Sequence, residues 1–129
     1  MSVAAQHVAT PDPVVLVLED EPLIALDLQF AFEDRGATVH LAASCEDAHV
    51  LLTQHAIDAA VLDVNLGRGS TCEKVAATLR ERGVPFILHT GDLDRQGEAM
   101  RKLDAVVVPK PTPADLVVAA LYGQLDAHA

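Results

Sequence analysis

Aromatic residues are nearly missing from this chain: no tryptophan, one tyrosine and three phenylalanines, 3% of the total. Any core must therefore be built mainly from Val, Leu, Ile and Ala. Basic residues are scarce too. Nine Lys and Arg stand against nineteen Asp and Glu, a formal charge of −10. Such a surface repels phosphate backbones and anionic lipid, which argues against nucleic-acid and membrane-surface partners and favours cations or a basic protein face. Only two cysteines occur, Cys45 and Cys72, without metal-type spacing. They read as reduced packing residues, with a reducing cytoplasm as the expected compartment. No apolar run is long enough to span a bilayer. The first thirteen residues lack the basic start and apolar stretch of a signal peptide.

Hydrophobic residues, in contrast, make up 50% of the 129 positions, enough for one packed domain with little room for a second. Residues 1–13 hold two prolines and no apolar period and read as a leader, 14–125 as the domain, 126–129 as a short tail. From Val14 onward, strand and helix patterns alternate. Val14–Leu18 is an apolar run, followed by a helix from Pro22 to Arg35 that Gly36 stops. Thr38–Ala42 is a second strand, and Ser44 with Asp47 resembles a capping box for a helix to Gln54. A third strand ends at Asp63, and a helix spans about Thr71 to Arg82 before Gly83. A fourth strand ends at Thr90, a short helix lies near Glu98–Leu103, and a fifth strand covers Ala105–Val108. Thr112 and Pro113 suit the cap and first turn of a last helix running to about Leu125. Five βα units of this kind predict an α/β doubly wound parallel sheet covered by helices on both faces.

In such a sheet every strand's C-terminus lies on one edge, where ligands bind beside the switch point in strand order. Val14–Leu18 runs into Glu19-Asp20, Ala59–Leu62 into Asp63, Phe86–Leu88 into His89-Thr90-Gly91, and Val106–Val108 into Pro109-Lys110-Pro111. Acids, a hydroxyl and a lysine therefore share one crevice. Alone, Asp63 would read as a helix cap, Lys110 as a solvated loop residue and Thr90 as an ordinary strand end. Together they read as a site. Asp20 and Asp63 can offer carboxylate oxygens to Mg²⁺, a hard ion usually held by one or two carboxylates, waters and a phosphate. A backbone carbonyl just past the third strand can supply another oxygen. Asp63 can then act as a nucleophile toward phosphorus, with Lys110 and the Thr90 hydroxyl meeting the equatorial oxygens.

From Val14 to Leu125 the chain resembles the CheY-like response-regulator receiver domains. The resemblance rests on Glu19-Asp20, Asp63, Thr90 and Lys110-Pro111, in order and at family-like spacing. It implies a five-stranded sheet in the order 2-1-3-4-5 and phosphorylation of Asp63 by a histidine kinase with Mg²⁺. The metal set it implies is Glu19, acting mainly through water, with Asp20, Asp63 and the carbonyl of Asn65. It also implies a cis peptide before Pro111. Its activity would be signalling rather than enzymatic, limited to phosphorylating and dephosphorylating itself. The expected partners are a histidine kinase, a histidine phosphotransfer protein or a downstream protein target. With the sequence stopping soon after the last helix, the expected form is a single-domain receiver without an output domain, working by binding, by relay or by draining phosphate. Self-association through the first helix, or through the fourth and fifth, is a further expectation.

Some positions depart from the family pattern. Val107 stands where many members carry a switching aromatic, Thr112 where phenylalanine is common, and His89 where a small residue is usual. Leu88-His89-Thr90-Gly91 resembles the Phe-Ala-Thr-Gly-x-Tyr motif of a receiver subgroup only at Thr90 and Gly91. His89 reads as a half-buried or rim residue, and His7, His40, His49, His55 and His128 as surface residues without ligand spacing. Two other readings stay open: a phosphate-independent binding module, and a small phosphohydrolase with Asp63 as nucleophile. Phosphohydrolases of the haloacid-dehalogenase type place a second aspartate where this chain has Asn65. In the first helix, Ile24, Leu28, Ala31 and Phe32 form the stripe expected to face the sheet. Leu23, Leu26 and Phe30 form a second stripe, a candidate docking surface or a widened core face.

Overall fold

The computed structural model describes residues 12–63, 73–91 and 105–127. The elements are β1 (Val14–Leu18), α1 (Pro22–Asp34), β2 (Thr38–Ala42), α2 (Cys45–Gln54), β3 (Ala59–Asp63), α3 (Glu73–Glu81), β4 (Phe86–Thr90), β5 (Val106–Pro109) and α4 (Ala114–Ala127). The expected helix near Glu98–Leu103 and the loop with Asn65, Gly67 and Gly69 lie outside the described residues. All four pairings are parallel, and the strand order is β2-β1-β3-β4-β5.

Alternation along the strands divides the core in two. Leu16, Leu18, Ala60, Leu62 and Leu88 face α2 and α3, where they meet Leu52, Val75 and Leu79. Val15, Val17, Val61 and Ile87 face α1 and α4, where they meet Leu28, Phe32, Val117 and Leu121. Both layers are aliphatic apart from Phe86, Phe32 and the partly buried Tyr122, as the shortage of aromatics requires. Each fully buried Leu or Phe contributes roughly 1.5–3 kcal/mol.

The helix ends follow local chemistry. Pro22 opens α1, and the hydroxyl of Ser44 accepts the Asp47 N–H at 3.1 Å to cap α2. At the C-terminus of α1, Gly36 adopts φ +93°, and the N–H groups of Gly36 and Ala37 return to the carbonyls of Glu33 and Phe32. Gly83 repeats the arrangement after α3, with φ +71°. Both are Schellman-type stops that a side chain with Cβ would strain. The last helix differs from expectation. It begins at Ala114 and extends to Ala127, and the Thr112 hydroxyl donates back to the Pro109 carbonyl instead of capping it. A hydroxyl one residue further from the helix start finds the strand-end carbonyl nearer than the helix's N–H groups.

Candidate functional site

Strand register builds the site. Leu18 pairs with Leu62, so Glu19 follows β1 at the level where Asp63 ends β3. Asp63 pairs with His89, His89 with Val108, and Thr90 with Pro109, which leaves Lys110 one step beyond β5. Four strand ends thus deliver their polar residues to one edge, beside the point where β1 and β3 diverge toward opposite sides of the sheet.

These groups are not solvated decoration. Glu19, Asp63 and His89 are each 3% exposed and Thr90 is fully buried, whereas Asp20 is exposed at the mouth. Lys110 Nζ donates to Asp63 Oδ2 at 3.2 Å, and lies 2.9 Å from Glu19 Oε1 as an ion pair. The second oxygen of Glu19, Oε2, accepts the Glu21 N–H at 3.1 Å. Burial lowers the basicity of the Lys110 ammonium, but its bonds to Glu19 and Asp63 outweigh burial and leave its pKa raised. Burial pushes the His89 pKa down, and the nearby Lys110 charge pushes it the same way against a weaker pull from Glu19. Both effects favour the neutral imidazole over the charged form.

One oxygen from each of Glu19, Asp20 and Asp63 lies within 4.8 Å of the others. Hard carboxylate oxygens, two of them buried, suit an oxygen-seeking divalent cation such as Mg²⁺. Asn65 lies outside the described residues. Lys110-Pro111 is a cis peptide, as the resemblance implies.

A sequence model described as the response regulator receiver domain matches residues 15–122. The chain belongs to the response regulator receiver family. Among curated relatives, the receiver is 35% identical over 82 residues to the TorCAD operon transcriptional regulatory protein TorR of Escherichia coli K12. That match covers 63% of this chain and 35% of TorR, so the receiver spans about a third of the curated relative's length. Among solved structures, the receiver domain of the TMAO respiratory system response regulator TorR superposes with a TM-score of 0.79 at 28% identity, over 91% of this chain and 99% of that one. A response regulator receiver protein from Sinorhizobium medicae WSM419 shares the fold, with a TM-score of 0.80 at 23% identity over 92% and 98% of the chains. The family is a signalling module of two-component systems, whose members are phosphorylated by histidine kinases and generally bind Mg²⁺ in an acidic pocket. Among the described residues no helix is long and apolar enough to cross a membrane.

The structure brings together Glu19, Asp20, Asp63, Thr90 and Lys110 as the sequence predicts. Glu19, whose expected role is toward the metal through water, also sits against Lys110 at the shorter of that lysine's two ion-pair distances. Two histidines differ from expectation. His89, expected at the rim, is buried with neither ring nitrogen partnered. The signal that could have found it was parity. His89 is two residues after Ile87 and so shares its inward face. His40 also differs from expectation. It is half-buried and its ring stacks on that of His55 at 3.9 Å between centroids.

Proposed function

We propose that this receiver is the phosphoacceptor of a two-component or phosphorelay pathway, with Asp63 accepting the phosphoryl group from a phosphohistidine donor. The observation that carries this reading is the Lys110–Asp63 bond, made inside an acid cluster at the switch point in which Glu19 and Asp63 are buried. An ammonium at 3.2 Å from Asp63 Oδ2 is placed to neutralise negative charge on the nucleophile and on the phosphoryl group it would accept. In transfer, an Asp63 oxygen forms a bond to phosphorus while the donor's P–N bond breaks, and the histidine leaves with the electron pair. In self-dephosphorylation, water takes the phosphoryl group as inorganic phosphate and Asp63 recovers its carboxylate. Asp20, Asp63, Glu19 and the Asn65 carbonyl would hold Mg²⁺, which supplies charge neutralisation for the transferring oxygens. Lys110 follows the charge from the carboxylate to the new phosphoryl group, and the Thr90 hydroxyl serves another equatorial oxygen.

The kinase-facing surface in this reading is the outer side of α1. Leu23, Leu26 and Phe30 are 81%, 43% and 59% exposed there, opposite Leu28 and Phe32 in the core. Acids Asp27, Glu33 and Asp34 accompany them and α1 holds no basic residue, so the complement is an apolar helix with Lys or Arg at its margins. Replacing Leu26 and Phe30 with Gln is expected to slow transfer from the kinase while labelling by a small phosphodonor stays unchanged. Equal slowing of both would remove this surface from the reading.

The central test is intact mass after incubation with Mg²⁺ and acetyl phosphate. An acid-stable, base-labile addition of about 80 Da that needs Mg²⁺ and disappears in Asp63→Asn supports the assignment. No addition, together with no binding of beryllofluoride, would overturn it.

A further inference from the structure

The Lys110 ammonium reaches its acids by crossing a strand. The Lys110 N–H donates to the Thr90 carbonyl at 2.8 Å, so the residue starts beside the end of β4. Asp63 ends β3, two strand spacings from β5, or roughly 10 Å. The stem covers that gap over the end of β4: a Cβ added at Gly91 would come within 3.7 Å of Lys110 Cβ and 3.9 Å of its Cδ. His89 stands two residues before Gly91, so the two share one face of β4. It is the face turned toward α1 and α4, the one that Ile87 occupies. His89 therefore sits one pleat below the crossing, on the core side of the lysine stem.

A second destination for the ammonium opens beside this path. A cavity of about 220 Å³ is lined by Asp27 and Leu28 of α1, by Thr112, and by both His89 and Lys110. The Thr112 hydroxyl gives its proton to the Pro109 carbonyl, which leaves its oxygen able to accept. With the Asp27 carboxylate, the cavity thus offers two acceptors to a cation. Asp27 is exposed, so pairing with it strips less water from an ammonium than pairing with Glu19 and Asp63, each 3% exposed. Nothing in a flexible four-carbon stem forbids that choice.

His89 separates the two destinations. It is itself 3% exposed, and among the described residues neither ring nitrogen has a hydrogen-bond partner. The ring thus acts by its bulk rather than as donor or acceptor. Burial, and after it the Lys110 charge, hold its pKa down, which favours an uncharged wall beside the ammonium. We propose that His89 is a positioning residue: its ring walls the Lys110 stem off from the cavity and keeps the ammonium on Glu19 and Asp63. Its effect on phosphorylation rests on the phosphoacceptor role of Asp63; its effect on the ion pair does not.

In the wild type, nuclear Overhauser contacts are expected from the His89 ring protons to the methylene protons of Lys110. Their absence would overturn the wall, whether or not the variants fold. In His89→Ala, the rate of labelling by acetyl phosphate with Mg²⁺ is expected to fall about 10-fold, a loss that misplacing one neutralising group can produce. His89→Phe puts a ring back and is expected to recover most of that rate. Adding Asp27→Asn to His89→Ala weakens the second destination and is expected to recover part of it. A wild-type rate in His89→Ala, or a loss that Asp27→Asn does not relieve, would overturn the proposal. A loss in His89→Phe equal to that in His89→Ala would overturn ring bulk as the cause.

The ion pair is read without phosphate. The rise in the urea unfolding constant caused by Lys110→Met is expected to be about 5-fold smaller in His89→Ala than in the wild type. Equal rises would overturn the positioning. A wild type that takes no label and binds no beryllofluoride would overturn the role of Asp63, and the spectrum and this cycle would then decide on His89.

Discussion

Strand β3 has an aspartate at each end, and the two are put to different uses. Asp58, just before the strand, is exposed, and its Oδ2 accepts the N–H of Val14 at 2.8 Å, fastening the start of β1. Asp63, five residues on, is buried and holds an ammonium group that also belongs to Glu19. The residue type is the same; the edge decides what it does. At the N-terminal edge a carboxylate completes backbone hydrogen bonding and stops there. At the C-terminal edge strand ends bring several charges together, among them the carboxylate proposed as the phosphoacceptor.

The sharpest way to test that contrast is to remove each carboxylate. Asp63→Asn is expected to lose all labelling by acetyl phosphate and Asp58→Asn to keep all of it, read by intact mass. Loss of labelling in both would erase the distinction between the edges. Lys110→Met comes next. It removes the ammonium that Glu19 and Asp63 share, and removing one partner from a buried ion pair costs about 3 kcal/mol. Urea unfolding at pH 7 is expected to show that loss, and Mg²⁺ is expected to raise Tm more in this variant than in the wild type, by screening the acids that Lys110 no longer neutralises. A smaller effect belongs to the other edge. Asp58→Ala gives up an exposed bond worth about 1 kcal/mol or less, visible as a modest shift of the urea midpoint with no change in Mg²⁺ response.

Acid and alkali should act on different residues of the C-terminal edge. The Lys110 pKa is raised on folding, so its contribution is fully present below about 10.5 and is lost as pH climbs through the higher folded value. His89 behaves in the opposite sense. Its folded pKa lies below 6.5, so the stability it contributes holds above that value and declines as pH falls through the depressed one. Stability measured against pH is expected to drop on both flanks. The alkaline drop should shrink in Lys110→Met, and the acid drop in His89→Phe.

Much of this was legible in the sequence because apolar runs ending in Glu19-Asp20, Asp63, Thr90 and Lys110 state both the sheet and its active edge. Strand ends are local features, and parallel topology converts them into neighbours. Reach across the edge is not local. That Lys110 lies closer to Glu19 than to Asp63 depends on how a long flexible side chain crosses from the end of β5 to the end of β1. The burial of His89 was hidden for a different reason. In a strand apolar on both faces the usual contrast of polar and apolar residues is absent, so a histidine at its end is assigned to a layer only by counting from Ile87. The cavity beside it depends on how α1 and α4 meet over the sheet, which no single segment encodes.

Glu19 has one feature with mechanical weight. Its two oxygens are divided between two parts of the chain: Oε1 toward the ammonium of Lys110, Oε2 to the N–H of Glu21 at the threshold of α1. The carboxylate is thus a short strut joining the end of β5 to the start of the first helix. A pull on Lys110 toward a newly charged neighbour loads that strut, and its far end stands two residues from Leu23, the most exposed of the large apolar side chains described.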